Sequence, residues 1–330
     1  MKIVLATPNY HQQRGNTVTV RRISKALQKL NIETDIVSIT EEKPPKDFPA
    51  ADLIHGFHAY RFYQYYKQMD EKPETYVITV TGTDLSHYLY EESTRTDTIA
   101  SLTGARAVHV FNEEAKITLL EEVPDIAGKV HVIPQGTDEF PVSGDNYEKE
   151  PGTTLFVLPA GIRKVKNVPA AINMMKKLYT EYPTTRLALV GPVLEEEEGN
   201  EVEQLVAKNN HWVSYLGQID HEKMGSIYQA ADVLLNTSIA EGQPSAILEA
   251  MAAGLPVLVS DNQGNRSIVI DGENGFVYHD ENEFLAYAEK IMNNYNLRQS
   301  IGHAASRYIS EHHSSQQEAK KLLGIYKQLT

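Results

Sequence analysis

Residues 241–260 read EGQPSAILEAMAAGLPVLVS. Glu241-Gly242-Gln243-Pro244 cannot continue a regular helix, because glycine and proline both work against one. From Pro244 onward the pattern changes. Proline is favoured at the first helical position, SAILEAMAA is a good helix sequence, and Gly254 marks its end. LPVLVS then reads as a buried strand. The unit is loop, short helix and strand, with one glutamate on each side of the helix start.

The same alternation extends in both directions. Before the stretch come TLFVLPAG, the helical VPAAINMMKKLYTEY, RLALVGPV, the acidic helix EEEEGNEVEQLVAKN, WVSYLGQI, HEKMGSIYQA and ADVLLNTS. GFVYH and helices from ENEFLAYAEKIMNNY follow it. Nearer the start, KIVLAT, TDIVSI, DLIHGF, YVITVTG, ARAVHVF and KVHVIPQG alternate with helical segments. Such β-α alternation predicts an α/β protein whose parallel sheets carry helices on both faces. The polar stretch SGDNYEKEPGTT, residues 143–154, reads as a linker. The expectation is therefore two Rossmann-like, doubly wound domains, residues 1–145 and 146–312, facing a central cleft. A last helix, 313–330, is expected to pack back on the first domain. Ligands of such sheets bind beyond the carboxyl ends of the strands.

The 330 residues suffice for two ordinary domains, with 41% hydrophobic and 23% charged residues. A net charge of −13 argues against a nucleic-acid partner, which would call for a basic stripe. The chain has no cysteine, hence no disulfide, thiolate metal site or thiol nucleophile. Its first residues hold too short an apolar run for a signal peptide, and no run approaches the ~18 apolar residues of a membrane span. A cytoplasmic protein is expected. The basic face of RRISKALQKLN reads as a solvated helix face, with weak peripheral membrane contact as its alternative. EEEE at 195–198 reads as a solvated helix start.

The chemistry is expected at strand ends. The first amides of a helix lack intrahelical partners and sit at the positive end of its dipole, so those of Ser245, Ala246 and Ile247 are placed to hold phosphate. Glu249 lies roughly 7–8 Å further along the axis, about the step from a diphosphate to the adjoining ribose. Glu241, on the other side, could accept hydrogen bonds from a group on the far phosphate. A nucleotide-sugar fits this arrangement end to end. The plainer alternative is an acidic loop residue and an ordinary helix-surface glutamate. PAGIRKVKN, 159–167, places Arg163, Lys164 and Lys166 on a strand-end loop turned by Gly161. Cations there would clamp phosphate oxygens and stabilise a leaving diphosphate more in the transition state than in the ground state. A solvated basic turn is the alternative. His55 and His58 read as structural, His312-His313 as surface, and Asp84 either as orienting an acceptor or as capping a turn. There is no GxSxG and no Walker A sequence, and the single glycine of HQQRGN speaks against a dinucleotide-dependent oxidoreductase.

Taken in order, these motifs resemble the retaining glycosyltransferases of GT-B fold, family 4. EGQPSAILEAMAAGLPVLVS resembles their E-x₇-E signature, GIRKVKN their Arg…Lys phosphate loop, and KVHVIPQGTD, RLALVGP, VSYLGQI and ADVLLNTS follow in the family's order. RGNTVTVRR, TGTDLS, AGIRKVKN and QGNRSIV resemble the glycosyltransferase 1 domain-containing protein subgroup, and bacterial selenosugar synthases are also related. The resemblance implies a hexosyltransferase-type enzyme that uses a nucleotide-sugar donor, UDP-linked, with retention and without metal or cofactor. It implies a front-side mechanism, the acceptor mainly on the N-terminal domain, and the following roles. Arg163 and Lys166 hold the diphosphate, with Lys164 as an alternative to Lys166. Glu241 binds the donor sugar, and Glu249 the ribose. Gly15 and Asn16 approach the donor phosphates or the acceptor, and Gly191, Gly217 and Gln218 lie near the base. Thr81 stands where many members have a histidine that touches the donor sugar. Gln243-Pro244 replaces the common Phe-Gly and reshapes the sugar pocket. A non-catalytic nucleotide-sugar binder, a thio- or selenosugar-forming transferase, and a GT-B epimerase or phosphorylase are the alternatives.

Overall fold

The computed structural model describes residues 1–12, 15–40, 44–138 and 147–330. Gln13 and Arg14 of the HQQRGN loop, the expected boundary at 145/146 and the start of the linker lie outside the described residues. The chain divides into two compact units, Met1–Gly136 with His312–Thr330, and Thr137–Glu311.

Among the described residues the strands form two six-stranded sheets, every pairing parallel. The first contains β1 (Lys2–Thr7), β2 (Glu33–Ser38), β3 (Leu53–Phe57), β4 (Tyr76–Thr79), β5 (Ala107–Val110) and β6 (Val130–Val132), in the order β2-β1-β3-β4-β5-β6. The second contains β7 (Thr154–Pro159), β8 (Thr185–Val190), β9 (Val213–Tyr215), β10 (Val233–Asn236), β11 (Val257–Ser260) and β12 (Phe276–Tyr278), in the order β12-β11-β10-β7-β8-β9.

Side chains leave a strand alternately to its two faces, so an apolar run builds two cores. In β1, Ile3 and Leu5 enter one cluster while Val4 and Ala6 enter another. In β7, Phe156 and Leu158 face one cluster and Val157 the other. This is the doubly wound arrangement expected from the sequence. The helix Ser245–Ala252 ends in a Schellman motif. Leu255 N donates to Ala250 O at 2.9 Å, Gly254 N to Met251 O at 3.0 Å, and Gly254 takes a φ of +76° that favours glycine.

The helix Ser315–Leu329 belongs to the first unit. Its Ala319, Leu322, Ile325 and Tyr326 are buried with Ile3, Leu5, Ile23 and Leu27. Two charged groups join the packing. Arg22, on the helix Gly15–Gln28, pairs with Glu318 through two hydrogen bonds of 3.0 and 3.1 Å, and both side chains are buried. The supposed basic helix face thus turns one of its arginines inward. His313, expected at the surface, is buried with Nδ1 2.8 Å from Gln135 O, because this helix is docked rather than free. Among the described residues, no helix is long and apolar enough to cross a membrane.

Candidate functional site

In the second sheet the chain runs outward from β7 through β8 to β9, then returns to lay β10 against the other side of β7. The strand order reverses between β7 and β10, the position beyond whose strand ends ligands of doubly wound sheets bind. Those two loops are the ones carrying GIRKVKN and EGQP.

The loops are laced together. Thr237 Oγ1 donates to Lys166 O at 2.9 Å, and Ile239 N donates to Val165 O at 2.8 Å. Lys166 thereby reaches Glu241, with Nζ 2.5 Å from Oε1. The same oxygen accepts from Ser238 Oγ at 2.7 Å and Asn236 Nδ2 at 3.3 Å. Burial alone would push the Glu241 carboxyl up; the Lys166 cation and these three hydrogen bonds outweigh it and hold the group below its ordinary value. Behind the glutamate runs the helix Gln263–Arg266, where a Cβ on Gly264 would lie 2.5 Å from Glu241 O, so only glycine lets the two backbones approach. Asn265 Nδ2 bonds Asn236 Oδ1 at 3.1 Å and Ser260 O at 2.8 Å, and Asn262 Nδ2 bonds Ser238 O at 3.0 Å, so the ends of β10 and β11 hold the loop from below.

Arg163 is a second cation of this loop. Its Nε is buried with no hydrogen-bond partner, and Arg163 forms no ion pair among the described residues. A buried guanidinium nitrogen left without an acceptor costs free energy, which an anionic ligand would recover. Lys164 is exposed, and its amide donates to Glu195 Oε2 at 2.8 Å. Of the two lysines, only Lys166 touches Glu241. Glu195, read as part of a solvated run, instead braces the Arg163 loop.

The structure revises the helix start. Pro244 is the N-cap rather than the first helical residue, with an extended ψ of 115°. Its carbonyl accepts from Ile247 N at 3.2 Å and from Leu248 N at 3.4 Å. The Ile247 amide is thus engaged inside the helix and leaves the expected anion-binding set, whose remaining members, Ser245 and Ala246, open the helix. Gln243 is buried with Nε2 3.3 Å from Ser267 Oγ. Glu249 is not an ordinary helix-surface residue. It is buried, its Oε1 2.8 Å from His221 Nε2 and its Oε2 2.9 Å from Tyr228 Oη.

Beyond β7, β8 and β9 three backbone segments converge. Gly191 N donates to Gly217 O at 2.8 Å, and Tyr215 Oη donates to Gly191 O at 2.7 Å. Gly191 has a φ of +143°, and a Cβ there would fall 2.1 Å from Ala160 O. Gly217 adopts a φ of +68°, and Gln218 beside it is exposed.

The remaining expected residues lie in the first unit. Gly15 and Asn16 open the helix after β1. Asp84 is fully buried and accepts from the amides of Thr81 (2.9 Å), Ala59 (3.0 Å) and Tyr60 (3.3 Å), from Thr81 Oγ1 (2.9 Å), and lies 2.9 Å from His58 Nδ1. Burial would raise its pKa, but His58 and the amides hold it below the ordinary value. Asp84 thus ties the loop after β4 to the loop after β3. His58 takes a strained φ of +78° there, a conformation that costs about 1–3 kcal/mol and persists only where surroundings enforce it. Asp84, expected either to orient an acceptor or to cap the next turn, is by these bonds an anchor between two loops.

Asn236, Ser238, Gly264, His221 and Tyr228 were not singled out from the sequence. Asn236 and Ser238 had a visible signal, since they share the strand-end loop of Glu241. His221 and Tyr228 had none, because nothing local connects them to a helix 28 and 21 residues away.

The profile of the family "Glycosyl transferases group 1" matches residues 144–308, half of the chain. Glycosyltransferase 1 domain-containing protein 1 of Xenopus tropicalis is 28% identical over 71% of this chain and 70% of its own length. Alpha-monoglucosyldiacylglycerol synthase of Acholeplasma laidlawii is 24% identical over 67% of this chain and 61% of its own length. Among solved structures, sucrose-phosphate synthase from Thermosynechococcus elongatus superposes with a TM-score of 0.79 at 18% identity, covering 100% of this chain and 99% of that one. HepE of Anabaena, solved with UDP-glucose, gives 0.79 at 16% identity over the whole of both chains. The fold is GT-B, and the chain belongs to the glycosyl transferases group 1 family, a glycosyltransferase enzyme.

Proposed function

We propose that this enzyme transfers a sugar from a UDP-sugar to an acceptor with retention, using protein cations in place of a metal. The observation that carries the reading is the buried, partnerless Nε of Arg163 beside the Lys166–Glu241 pair at the strand-order reversal. Arg163 grips the diphosphate through its planar fork, and Ser245 and Ala246 present the helix start to it. Lys166 turns from Glu241 to a phosphate oxygen as the donor enters. Glu241 stays ionised and accepts hydrogen bonds from hydroxyls of the donor sugar in the lysine's place. Glu249 receives the ribose, and the backbone at Gly191 and Gly217, with Gln218, borders the base. That HepE binds UDP-glucose on the same fold supports a UDP-linked donor.

As the glycosidic bond breaks, negative charge gathers on the diphosphate, and Arg163 and Lys166 stabilise it more than they stabilise the bound donor. The leaving phosphate oxygen accepts the acceptor's proton on the face from which it departs, so the acceptor adds on that face and configuration is retained. The cytoplasm is the proposed location. UDP release from UDP-glucose and other UDP-, GDP- and ADP-sugars, measured with and without candidate acceptors, tests the reading. Arg163→Ala is expected to cut turnover by about 10²-fold or more while the melting temperature holds. Unchanged turnover in that variant would overturn the assignment.

A further inference from the structure

Glu249 is assigned to the ribose, yet in the structure both of its oxygens are already occupied, and by two groups of different kind. Tyr228, which holds Oε2, sits on the helix Met224–Ala230 and is buried in the same core cluster as Ile247, Leu248 and Met251. Burial first, and then Glu249 itself, push its phenol well above the ordinary value, so it remains a donor. It cannot leave without opening the core. His221, which holds Oε1, lies in the short turn His221–Lys223 just before that helix, and its side chain is 40% exposed. A rotation can carry its ring into water.

A buried carboxylate oxygen requires a donor at all times. In the structure His221 meets that need for Oε1. A nucleotide brings donors of its own, since the 2′- and 3′-hydroxyls of ribose both point hydrogen at a carboxylate placed beside them. We infer that His221 is a placeholder for the ribose: it satisfies Glu249 Oε1 in the empty enzyme and yields that oxygen to a ribose hydroxyl, while Tyr228 keeps Oε2 throughout. His221 is on this account a specificity-determining residue. Displacing it offsets part of the binding free energy, and only a nucleotide that supplies a replacement donor recovers the loss. The inference rests on the assignment of Glu249 to the ribose.

The test compares dissociation constants for UDP and 2′,3′-dideoxy-UDP, measured by titration calorimetry on the full chain and its variants. With His221→Ala the competing donor is gone, so UDP is expected to bind about tenfold more tightly, the value of one hydrogen bond to a charged group. Dideoxy-UDP, which has no hydroxyl to give, is expected to bind as it does to the wild type. His221→Asn, whose amide falls short of Oε1, should repeat the alanine result with a polar residue kept in the turn. His221→Gln, long enough to donate to Oε1, should restore the wild-type constant. Weaker or unchanged UDP binding in the alanine and asparagine variants overturns the placeholder role. Glu249→Gln separates this from a failure of the ribose assignment. If that variant keeps the wild-type preference for UDP over dideoxy-UDP, the ribose assignment itself fails. If the preference is lost while His221→Ala does not tighten binding, only the placeholder role fails.

Discussion

Asp84 in the first unit and Glu241 in the second are both carboxylates placed beyond the carboxyl end of a strand, and both are held below their ordinary pKa against the cost of burial. Their partners differ. Asp84 accepts from three backbone amides, from the Thr81 hydroxyl and from His58, on a backbone that is itself strained. Among the described residues, Glu241 accepts only from side chains, those of Lys166, Ser238 and Asn236. An amide cannot be withdrawn unless its loop refolds, whereas a lysine can rotate away and a sugar hydroxyl can take its place. The same chemical group therefore serves as an anchor in one unit and as an exchangeable contact in the other.

The largest effect expected from this contrast is on stability. Asp84→Ala strands His58 and the loop amides and should destabilise the protein by about 3–5 kcal/mol in chemical denaturation. A loss below about 1 kcal/mol would remove the anchor from the comparison.

Acid should weaken the first unit next. Within it His55 and His109 are buried in a chain of hydrogen bonds. His55 Nδ1 lies 2.6 Å from Tyr326 Oη and its Nε2 2.7 Å from Thr79 Oγ1, which lies 2.8 Å from His109 Nδ1. His109 Nε2 is 2.9 Å from Ile133 O. Burial lowers both imidazoles, His55 well below 6.5 and His109 to about 4. Between about pH 6.5 and 4 the unfolded chain binds the proton and the folded one does not, so stability is present above that window and lost as the pH falls through it. At about 1.4 kcal/mol per pKa unit, His109 alone accounts for roughly 3 kcal/mol. His109→Gln should flatten the slope of unfolding free energy against pH in that range, and an unaltered slope would show that another group carries it.

Glu241→Gln should act on catalysis rather than on stability. Turnover should fall by about 10²-fold while stability changes by no more than about 1–2 kcal/mol, since only side chains lose a partner. A stability loss equal to that of Asp84→Ala would erase the distinction. The smallest effect is expected from Tyr326→Phe, which leaves His55 Nδ1 without its phenol and should cost about 1–2 kcal/mol with no change in UDP affinity.

Much of the architecture could be read from periodicity and punctuation. The strands were visible as short apolar runs, and Pro244 and Gly254 bracketed the helix Ser245–Ala252 to within one residue at its start. The cation loop was legible because Arg163 and Lys166 follow a strand directly. What escaped were contacts made across long sequence separations. Arg22 looked like part of a solvated face because its partner, Glu318, lies 296 residues away, and helical periodicity reports which face a residue is on but not what later covers it. His313 was misjudged for the same reason. The engagement of Ile247 escaped for a local one, since a proline at the N-cap still offers a carbonyl that a tightened first turn can use.

If Arg163 awaits a diphosphate, a pair of binding constants, UDP and uridine, for the wild type and Arg163→Ala will report it. A charge-assisted hydrogen bond to phosphate is worth about 1.5–3 kcal/mol, so the variant should bind UDP about 10- to 100-fold more weakly. Uridine, which has the base and ribose but no phosphate, should bind both proteins alike. Equal UDP affinity in the two proteins, or a parallel loss for uridine, would contradict the account.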